Sequence, residues 1–325
     1  MRALDAYYII KPFVPRTIQL TLRRALAARK RRTSAAVWPI DQNSAKHPPG
    51  WRGWPGGKAF ALVLVHDVDT AAGARQALAL MEAERGLGFR SSFNFVPERY
   101  QLDPAIRQDL VNSGFEVGVH GLKHDGKLFK NKKVFNERAS RINAYLRSWR
   151  SVGFSSPSML RNPSWLTELN IEYSCSSFDT DPFEPQNDAA GTIFPYLVKN
   201  LDESRSYVEL PYTLPQDHCL FVILKESDLF VWKQKLAWIA ACGGMALLIS
   251  HPDYMSFNNS RRSTKCYPAR YYLDFLAFIA ENYSDRFWHP LPRDMAGFWR
   301  TETIVNPSGL PSPEASSLSN EVMGI

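Results

Sequence analysis

The chain has 325 residues, of which 45% are hydrophobic and 13% aromatic, so a wholly disordered protein is excluded. The formal net charge is +7, but residues 1–33 alone hold nine Lys or Arg and one Asp, which leaves the other residues with a sum of −1. A nearly neutral body argues against a nucleic-acid-binding groove, and we expect no nucleic-acid partner.

Residues 1–33 form a basic arm. Within it, Ile18, Leu22 and Leu26 recur at four-residue steps among Arg and Lys side chains, which is the pattern of a basic amphipathic helix. Two interpretations stay open at this point. The helix binds an anionic membrane surface or an acidic partner, or it is a solvated helix packed on the domain.

The sequence carries no recognisable export signal, because residues 1–8 lack a basic start followed by an apolar run. No stretch is long and apolar enough to span a bilayer. The four cysteines are far apart and predict buried free thiols: Cys175, Cys219, Cys242 and Cys266. We therefore expect a cytoplasmic protein, peripheral at the inner membrane face if the arm binds lipid.

Residues 34–58 are rich in Pro, Gly and polar residues and predict a linker that wraps the domain edge. From residue 59 onward strands alternate with helices, which is typical of a parallel sheet or barrel. The predicted strands cover 59–65, 90–96, 115–119, 158–160, 173–177, 207–210 and 245–250. The predicted helices cover 71–86, 104–113, 133–152, 229–242 and 269–283. This catalytic domain is expected to end near residue 300, and 301–325 to form a disordered tail.

Polar residues of catalytic type follow several predicted strands. The apolar run from Phe60 ends in Asp67 and Asp69, which point to the same side if the backbone is extended. His120 and His124 follow the strand at 115–119, and their spacing lets two imidazoles face one metal ion. On its own this spacing is weak evidence for a metal site, and two surface or hydrogen-bonded histidines are the simpler interpretation.

Taken together, four stretches resemble the polysaccharide deacetylases of the NodB-homology group, carbohydrate esterase family 4. In the family's order they are His66-Asp67-Val68-Asp69, Glu116 to His124, Arg161-Asn162-Pro163 and Leu247 to Pro252. The resemblance runs from about residue 59 to residue 253. It implies an α/β fold, a distorted (β/α) barrel with about seven strands.

The resemblance also implies a divalent metal held by Asp69, His120 and His124, and such a ligand set suits Zn²⁺ best. It gives Asp67 the role of the base that takes a proton from water. The family has adjacent aspartates, whereas Val68 intervenes here, so Asp67 and Asp69 could exchange roles. That departure also leaves His66 as an additional candidate at the site.

Two further roles follow from the resemblance. Arg161 corresponds to the arginine that orients the base, although an ordinary salt bridge is the alternative. His251 corresponds to the general acid that protonates the leaving amine, unless it is a structural histidine.

Other polar and aromatic residues are left without one firm role. Asp179 and Asp181 either tune His251 or bind substrate. Trp165 either stacks on a sugar or packs in the core, and Asp217 and His218 receive no role beyond capping a turn.

The predicted function is a metal-dependent hydrolase that removes N-acetyl groups from an acetylated sugar in a polysaccharide or its lipid-linked precursor. One alternative is an amidohydrolase acting on a small non-saccharide amide. Another is a saccharide-binding protein that kept the fold without turnover.

Overall fold

The computed structural model describes residues 16–257 and 265–305. Its α-helices are α1 Arg16–Thr33, α2 Ala71–Gly86, α3 Pro104–Asn112, α4 Lys132–Trp149, α5 Pro163–Leu166, α6 Phe230–Cys242, α7 Arg270–Asn282 and α8 Pro292–Val305. Its strands are β1 Phe60–Val68, β2 Ser92–Phe95, β3 Glu116–His120, β4 Gly153–Ser155, β5 Tyr173–Ser174, β6 Tyr196–Lys199, β7 Ser206–Glu209, β8 Met245–Ser250, β9 Met255–Ser256, β10 Tyr267–Pro268 and β11 Phe287–Trp288.

Seven parallel strands curl into a barrel. They follow the order β8-β1-β2-β3-β4-β5-β7, and the short β11 pairs with the start of β1. Beyond β7, Leu214 forms a parallel bridge with Leu248 of β8, which brings the two ends of the sheet together. Only β6 is antiparallel to its neighbour in this sheet, among the described residues. The predicted distorted (β/α) barrel with about seven strands is confirmed.

β1 is the central strand, and all nine of its residues are buried. Alternate side chains enter different cores, as the two-residue period of a strand requires. Leu62 and Leu64 pack among the surrounding helices, whereas Val63 and Val65 pack inside the barrel. Continuing this alternation places Asp67 and Asp69 on the barrel side.

The segment 34–58, predicted as a linker, closes the barrel at the amino ends of its strands. Trp54 is buried there and donates a hydrogen bond from Nε1 to Gly243 O at 2.8 Å. It packs in an aromatic cluster with Trp51, Phe194 and Trp299. Trp299 belongs to α8, which the sequence did not predict and which extends through Val305 into the expected tail; residues 306–325 lie outside the described residues.

One predicted strand is wrong. Residues 158 and 159 lie within a 3-10 turn, Pro157–Met159, and residue 160 ends it, whereas the strand is Gly153–Ser155. Pro157 lacks the N–H that a ladder needs, and Ser158 and Met159 have positive φ angles of 58° and 52°. The chain therefore leaves the sheet two residues after β4.

α1 packs on the barrel through Leu20 and Ala27, which are buried, and lies against the π-helix His218–Leu224. Of the two interpretations of the basic arm, packing on the domain is therefore observed for the face of α1 that carries Leu20 and Ala27. Residues 1–15 of the arm lie outside the described residues. Within the described part of the chain, no helix has the length and apolar character needed to cross a bilayer.

Candidate metal centre and acid–base site

The carboxyl end of β1 carries two aspartates on the barrel side. Both Asp67 and Asp69 lie close to His120: Asp67 Oδ2 is 3.5 Å from Nδ1, and Asp69 Oδ1 is 3.3 Å from Nε2. His66 points the other way, where its ring nitrogens bond Ser250 Oγ and Glu84 Oε1, both at 2.8 Å. The interpretation of His66 as a site group is therefore wrong, because its fully buried ring belongs to the layer between strand and helix.

A tight turn after β3 brings the two histidines together. Gly121 has a φ of 61°, and a Cβ atom there would lie 2.6 Å from Pro157 Cγ, so this position requires glycine. His124 itself adopts a left-handed φ of 52°. As a result the rings of His120 and His124 are 5.2 Å apart between centroids.

Three ligand atoms converge at this turn. One atom each from Asp69, His120 and His124 lies within 4.8 Å of the others, and His124 Nε2 is 3.0 Å from Asp69 Oδ1. Burial alone would raise the pKa of Asp69, but the nearby imidazoles of His124 and His120 outweigh burial and hold that pKa well below its usual range. Asp69 is therefore an ionised carboxylate.

The donor set fits a divalent metal. His120 Nδ1 lies 3.1 Å from Ser155 O and donates to it in the neutral ring, which leaves the lone pair on Nε2 for a ligand. Asp69 Oδ1 is buried without a regular hydrogen bond, although both histidine Nε2 atoms are close. One carboxylate and two imidazoles are the ligand types that a catalytic zinc site with an open position uses.

Asp67 is held by neutral donors. Asn94 Nδ2 donates to Asp67 Oδ1 at 2.9 Å, and Ser155 Oγ donates to Asp67 Oδ2 at 2.8 Å. A Cβ atom at Gly118 would lie 1.8 Å from Asn94 Oδ1, so glycine in β3 makes room for this amide. Asn94 and Ser155 are site residues that were not predicted from the sequence, although Asn94 lies one residue before the end of β2 and Ser155 ends β4.

The structure does not place Arg161 against Asp67. Its guanidinium bonds the carbonyl of Asp188 and, at 2.9 Å, the carboxylate of the same residue. It also donates to Met159 O at 3.2 Å and lies over the ring of Phe178. The predicted orientation of the base by Arg161 is therefore wrong here, because this arginine holds the loop around Asp188.

His251 follows β8 and is paired with Asp217. His251 Nδ1 lies 2.7 Å from Asp217 Oδ1, and its backbone N–H donates to Asp217 Oδ2 at 2.9 Å. Burial alone would lower the pKa of His251, but Asp217 outweighs burial, with smaller contributions from Asp69 and Asp67, and the pKa is raised to about 10. The imidazole is thus protonated at neutral pH, as a general acid requires.

Asp217 is a third site residue that was not predicted from the sequence. It is fully buried and also accepts a hydrogen bond from the Tyr267 hydroxyl at 2.9 Å. The one available signal was an acidic residue shortly after the strand at 207–210, a pattern equally typical of a turn cap.

Asp253 supports the metal side of the site. Its Oδ2 accepts a hydrogen bond from the backbone N–H of Asp69 at 2.8 Å, and its Oδ1 accepts from the Thr70 hydroxyl. A Cβ atom on Gly73 would lie 2.3 Å from Asp253 Oδ2, so the helix that follows β1 needs glycine where this carboxylate approaches. Asp253 thus fixes the backbone that presents Asp69.

Neither Asp179 nor Asp181 contacts His251. Asp179 forms a buried ion pair with Lys235, with Oδ2 2.8 Å from Nζ. Asp181 Oδ2 accepts a hydrogen bond from the Tyr212 hydroxyl at 2.9 Å. Asp217, and not Asp179 or Asp181, is the aspartate that contacts His251 and raises its pKa.

Trp165 packs against other side chains of the domain. Its ring lies 5.5 Å from that of Phe135 and 6.4 Å from that of Phe129, and the Lys132 ammonium lies 5.1 Å from its centre. Of the two roles considered for Trp165, these contacts favour core packing.

Solved structures share this fold. A protein assigned as a polysaccharide deacetylase from Mycobacterium smegmatis is 18% identical, with a TM-score of 0.61, and the match covers 79% of this chain and 95% of that one. A probable polysaccharide deacetylase from Pseudomonas aeruginosa PAO1 is 15% identical, with a TM-score of 0.61 over 82% and 99% of the two chains. The Puue allantoinase is 14% identical, with a TM-score of 0.62 over 81% and 98%.

No protein-family model matches the chain, and no curated protein matches it at a significant level. The expected resemblance is confirmed as a resemblance of fold: the chain has the barrel of the polysaccharide deacetylase structures along nearly their whole length. Because the identities are low, the chemistry of this chain has to be argued from its own residues.

Proposed function

We propose that the protein is a metal-dependent N-deacetylase that acts on an acetylated sugar. One observation carries this proposal: a cluster of three potential metal ligands, a buried carboxylate and a protonated imidazole meet at one end of the barrel. These are the Asp69–His120–His124 centre, Asp67 and His251. Both aspartates are near enough to raise the pKa of His251.

The ligand set supports zinc as the metal, because two imidazoles and one carboxylate suit a borderline ion better than Ca²⁺ or Mg²⁺. Bound there, a divalent metal would polarise an amide carbonyl and lower the pKa of a water molecule. Asp67 is excluded from the ligand set in this assignment because its two oxygens are already held by Asn94 and Ser155.

The chain's own residues then move two protons. Asp67 accepts a proton from the attacking water, and a new C–O bond forms at the amide carbon. His251 donates a proton to the amide nitrogen, the C–N bond breaks, and the products are a free amine and acetate. Asp217 holds the imidazolium that gives this proton, with Nδ1 committed to the carboxylate so that the transferable proton is on Nε2.

The saccharide substrate is supported by the two fold neighbours assigned as polysaccharide deacetylases. A second candidate is hydrolysis of a small non-saccharide amide, since another neighbour is an allantoinase. A binding protein without turnover is the less favoured reading, because groups suited as ligands, base and acid are all present.

The experiment that separates these candidates is a product assay on zinc-loaded protein. It compares acetate release from N-acetylated oligosaccharides and lipid-linked acetylated sugars with hydrolysis of allantoin and simple linear amides. We expect acetate from the saccharides alone. Hydrolysis confined to the small amides would replace the proposal with the second candidate, and saccharide binding without any product would support the binding protein.

A further inference from the structure

α1 turns an apolar stripe toward solvent. Ile18, Leu22 and Leu26 are 50%, 64% and 56% exposed, whereas Leu20 and Ala27 on the opposite face are almost fully buried. Singly exposed leucines are common on protein surfaces, but three aliphatic side chains on successive turns of one helix form a continuous patch.

The orientation of this stripe is fixed by polar contacts on the inner side of the helix. Arg24 donates from Nε and Nη2 to Val222 O at 3.1 and 3.0 Å, and Lys30 Nζ donates to Pro182 O at 2.6 Å. Arg31 forms an ion pair with Glu226. α1 is therefore held on the barrel with its aliphatic face outward, and rotating that face inward would break all of these bonds.

All charged side chains of α1 are positive. The helix carries seven Arg or Lys residues and no acidic residue. Arg29 follows Leu22 by two helical turns and so lies on the same face, and Arg32 is exposed near it. Neither Arg29 nor Arg32 has an acidic partner within the part of the chain that the structure describes. The outward face thus combines aliphatic side chains with unpaired guanidinium groups.

We propose that this face of α1 docks on the surface of an anionic lipid bilayer. The aliphatic side chains would enter the boundary between headgroups and acyl chains, while Arg29 and Arg32 contact lipid phosphates. A second copy of this chain fits less well, because pairing the stripes would bring Arg29 and Arg32 of both copies together with no acidic residue on either helix. The preceding sequence, residues 6–15, adds Tyr, Ile, Phe and Val residues and no acidic residue, which extends the same composition.

If the proposed function holds, docking of α1 on a bilayer also indicates which substrate the site meets. α1 packs on the π-helix His218–Leu224, which begins directly after Asp217, the partner of His251. The membrane-binding helix and the acid of the site are therefore connected through one element. This favours a lipid-linked acetylated sugar, presented at the bilayer surface, over a free polymer.

The test is sedimentation of the full chain with vesicles of neutral phosphatidylcholine, with and without anionic phosphatidylglycerol, at low and high salt. We expect binding to the anionic vesicles only, weakened by salt. The variant Ile18→Ser/Leu22→Ser/Leu26→Ser should bind at least roughly tenfold more weakly, because it removes the inserted side chains. Arg29→Gln/Arg32→Gln should also lose about tenfold or more.

Two matched variants serve as controls. Leu201→Ser changes a fully exposed leucine between β6 and β7, and Arg147→Gln/Arg150→Gln removes two exposed charges at the end of α4; both should bind like wild type. Thermal melts establish that each variant is folded, and acetate release from a soluble oligosaccharide should be unchanged in the α1 variants. The proposal is overturned if the triple serine variant sediments like wild type, if neutral vesicles bind equally well, or if no vesicle binds. It is also overturned if ultracentrifugation shows a dimer that the triple variant abolishes.

Discussion

Asp217 Oδ1 lies 2.7 Å from His251 Nδ1, and the same carboxylate accepts hydrogen bonds from the His251 backbone N–H and the Tyr267 hydroxyl, each at 2.9 Å. Asp217 is fully buried, so its charge acts on the imidazole with little screening by water. This pair keeps the His251 imidazole protonated across the neutral range and leaves Nε2 as the nitrogen that would give up a proton in the proposed reaction.

Asp217→Asn should move the alkaline limb of the pH profile to lower pH. The carboxylate raises the pKa of His251 to about 10, and the reaction needs the protonated ring. Without that charge the pKa falls, so the acid form is lost at a lower pH. The measurement is kcat/KM against pH, with the exposed Asp109→Asn as control. An alkaline limb at the same position in Asp217→Asn and wild type would show that His251 is not the acid.

Ser155→Ala should lower kcat by about tenfold to a hundredfold, because losing a buried hydrogen bond to a charged group costs roughly 1.5–3 kcal/mol. It removes the 2.8 Å hydrogen bond to Asp67 Oδ2 without touching the carboxylate. Arg161→Gln is the informative comparison. Since Arg161 contacts Asp188, its loss should lower the melting temperature while kcat stays within a few-fold. A collapse of kcat in Arg161→Gln alone would restore the arginine as the group that orients the base.

His124→Ala should lower zinc affinity strongly, because it deletes a metal ligand. Loss of a residue that only hydrogen-bonds a ligand costs roughly 10–100-fold in metal affinity, and the loss here should be larger. Titration calorimetry with zinc measures this directly. His66→Gln is the matched histidine variant. The His66 ring bonds Ser250 of β8 and Glu84 of α2, away from the metal ligands, so this variant should lose stability but keep its metal affinity. Equal zinc affinity in His124→Ala and wild type would contradict the assigned centre.

Lys235→Met should lower the free energy of unfolding by about 3–5 kcal/mol, because it leaves the Asp179 carboxylate buried without its partner. The double variant Lys235→Met/Asp179→Leu removes both charges and should recover much of the loss. Urea unfolding of the single and double variants measures the coupling. Strictly additive losses would show that the two groups do not stabilise each other.

The sequence predicted those features that depend on local pattern. The apolar run of β1 and the two-residue period of a strand suffice to place Asp67 and Asp69 on one side. The spacing of His120 and His124 allows the two rings to converge, and the tight turn at Gly121 brings them together. The positions of β1 and β8 could be predicted because both strands are buried on both faces and therefore appear in the sequence as continuous apolar runs.

Pairings between distant segments could not be predicted in this way. Asp217 and His251 are 34 residues apart, and their contact exists only because the chain after β7 closes the barrel against β8. Arg161 was assigned to Asp67 by its position in a motif, yet the loop around Asp188 determines where its guanidinium lies. The burial of α8 likewise depends on the aromatic cluster at the other end of the barrel.

The central claim is that Asp69 holds the metal while Asp67 moves the proton. Its most direct test measures bound zinc and acetate release together in wild type, Asp67→Asn and Asp69→Asn, using an N-acetylated saccharide that the wild type turns over. We expect Asp67→Asn to keep its zinc and lose acetate release, whereas Asp69→Asn should lose both. An Asp67→Asn protein that fails to bind zinc, or an Asp69→Asn protein that binds it normally, would contradict this division of roles.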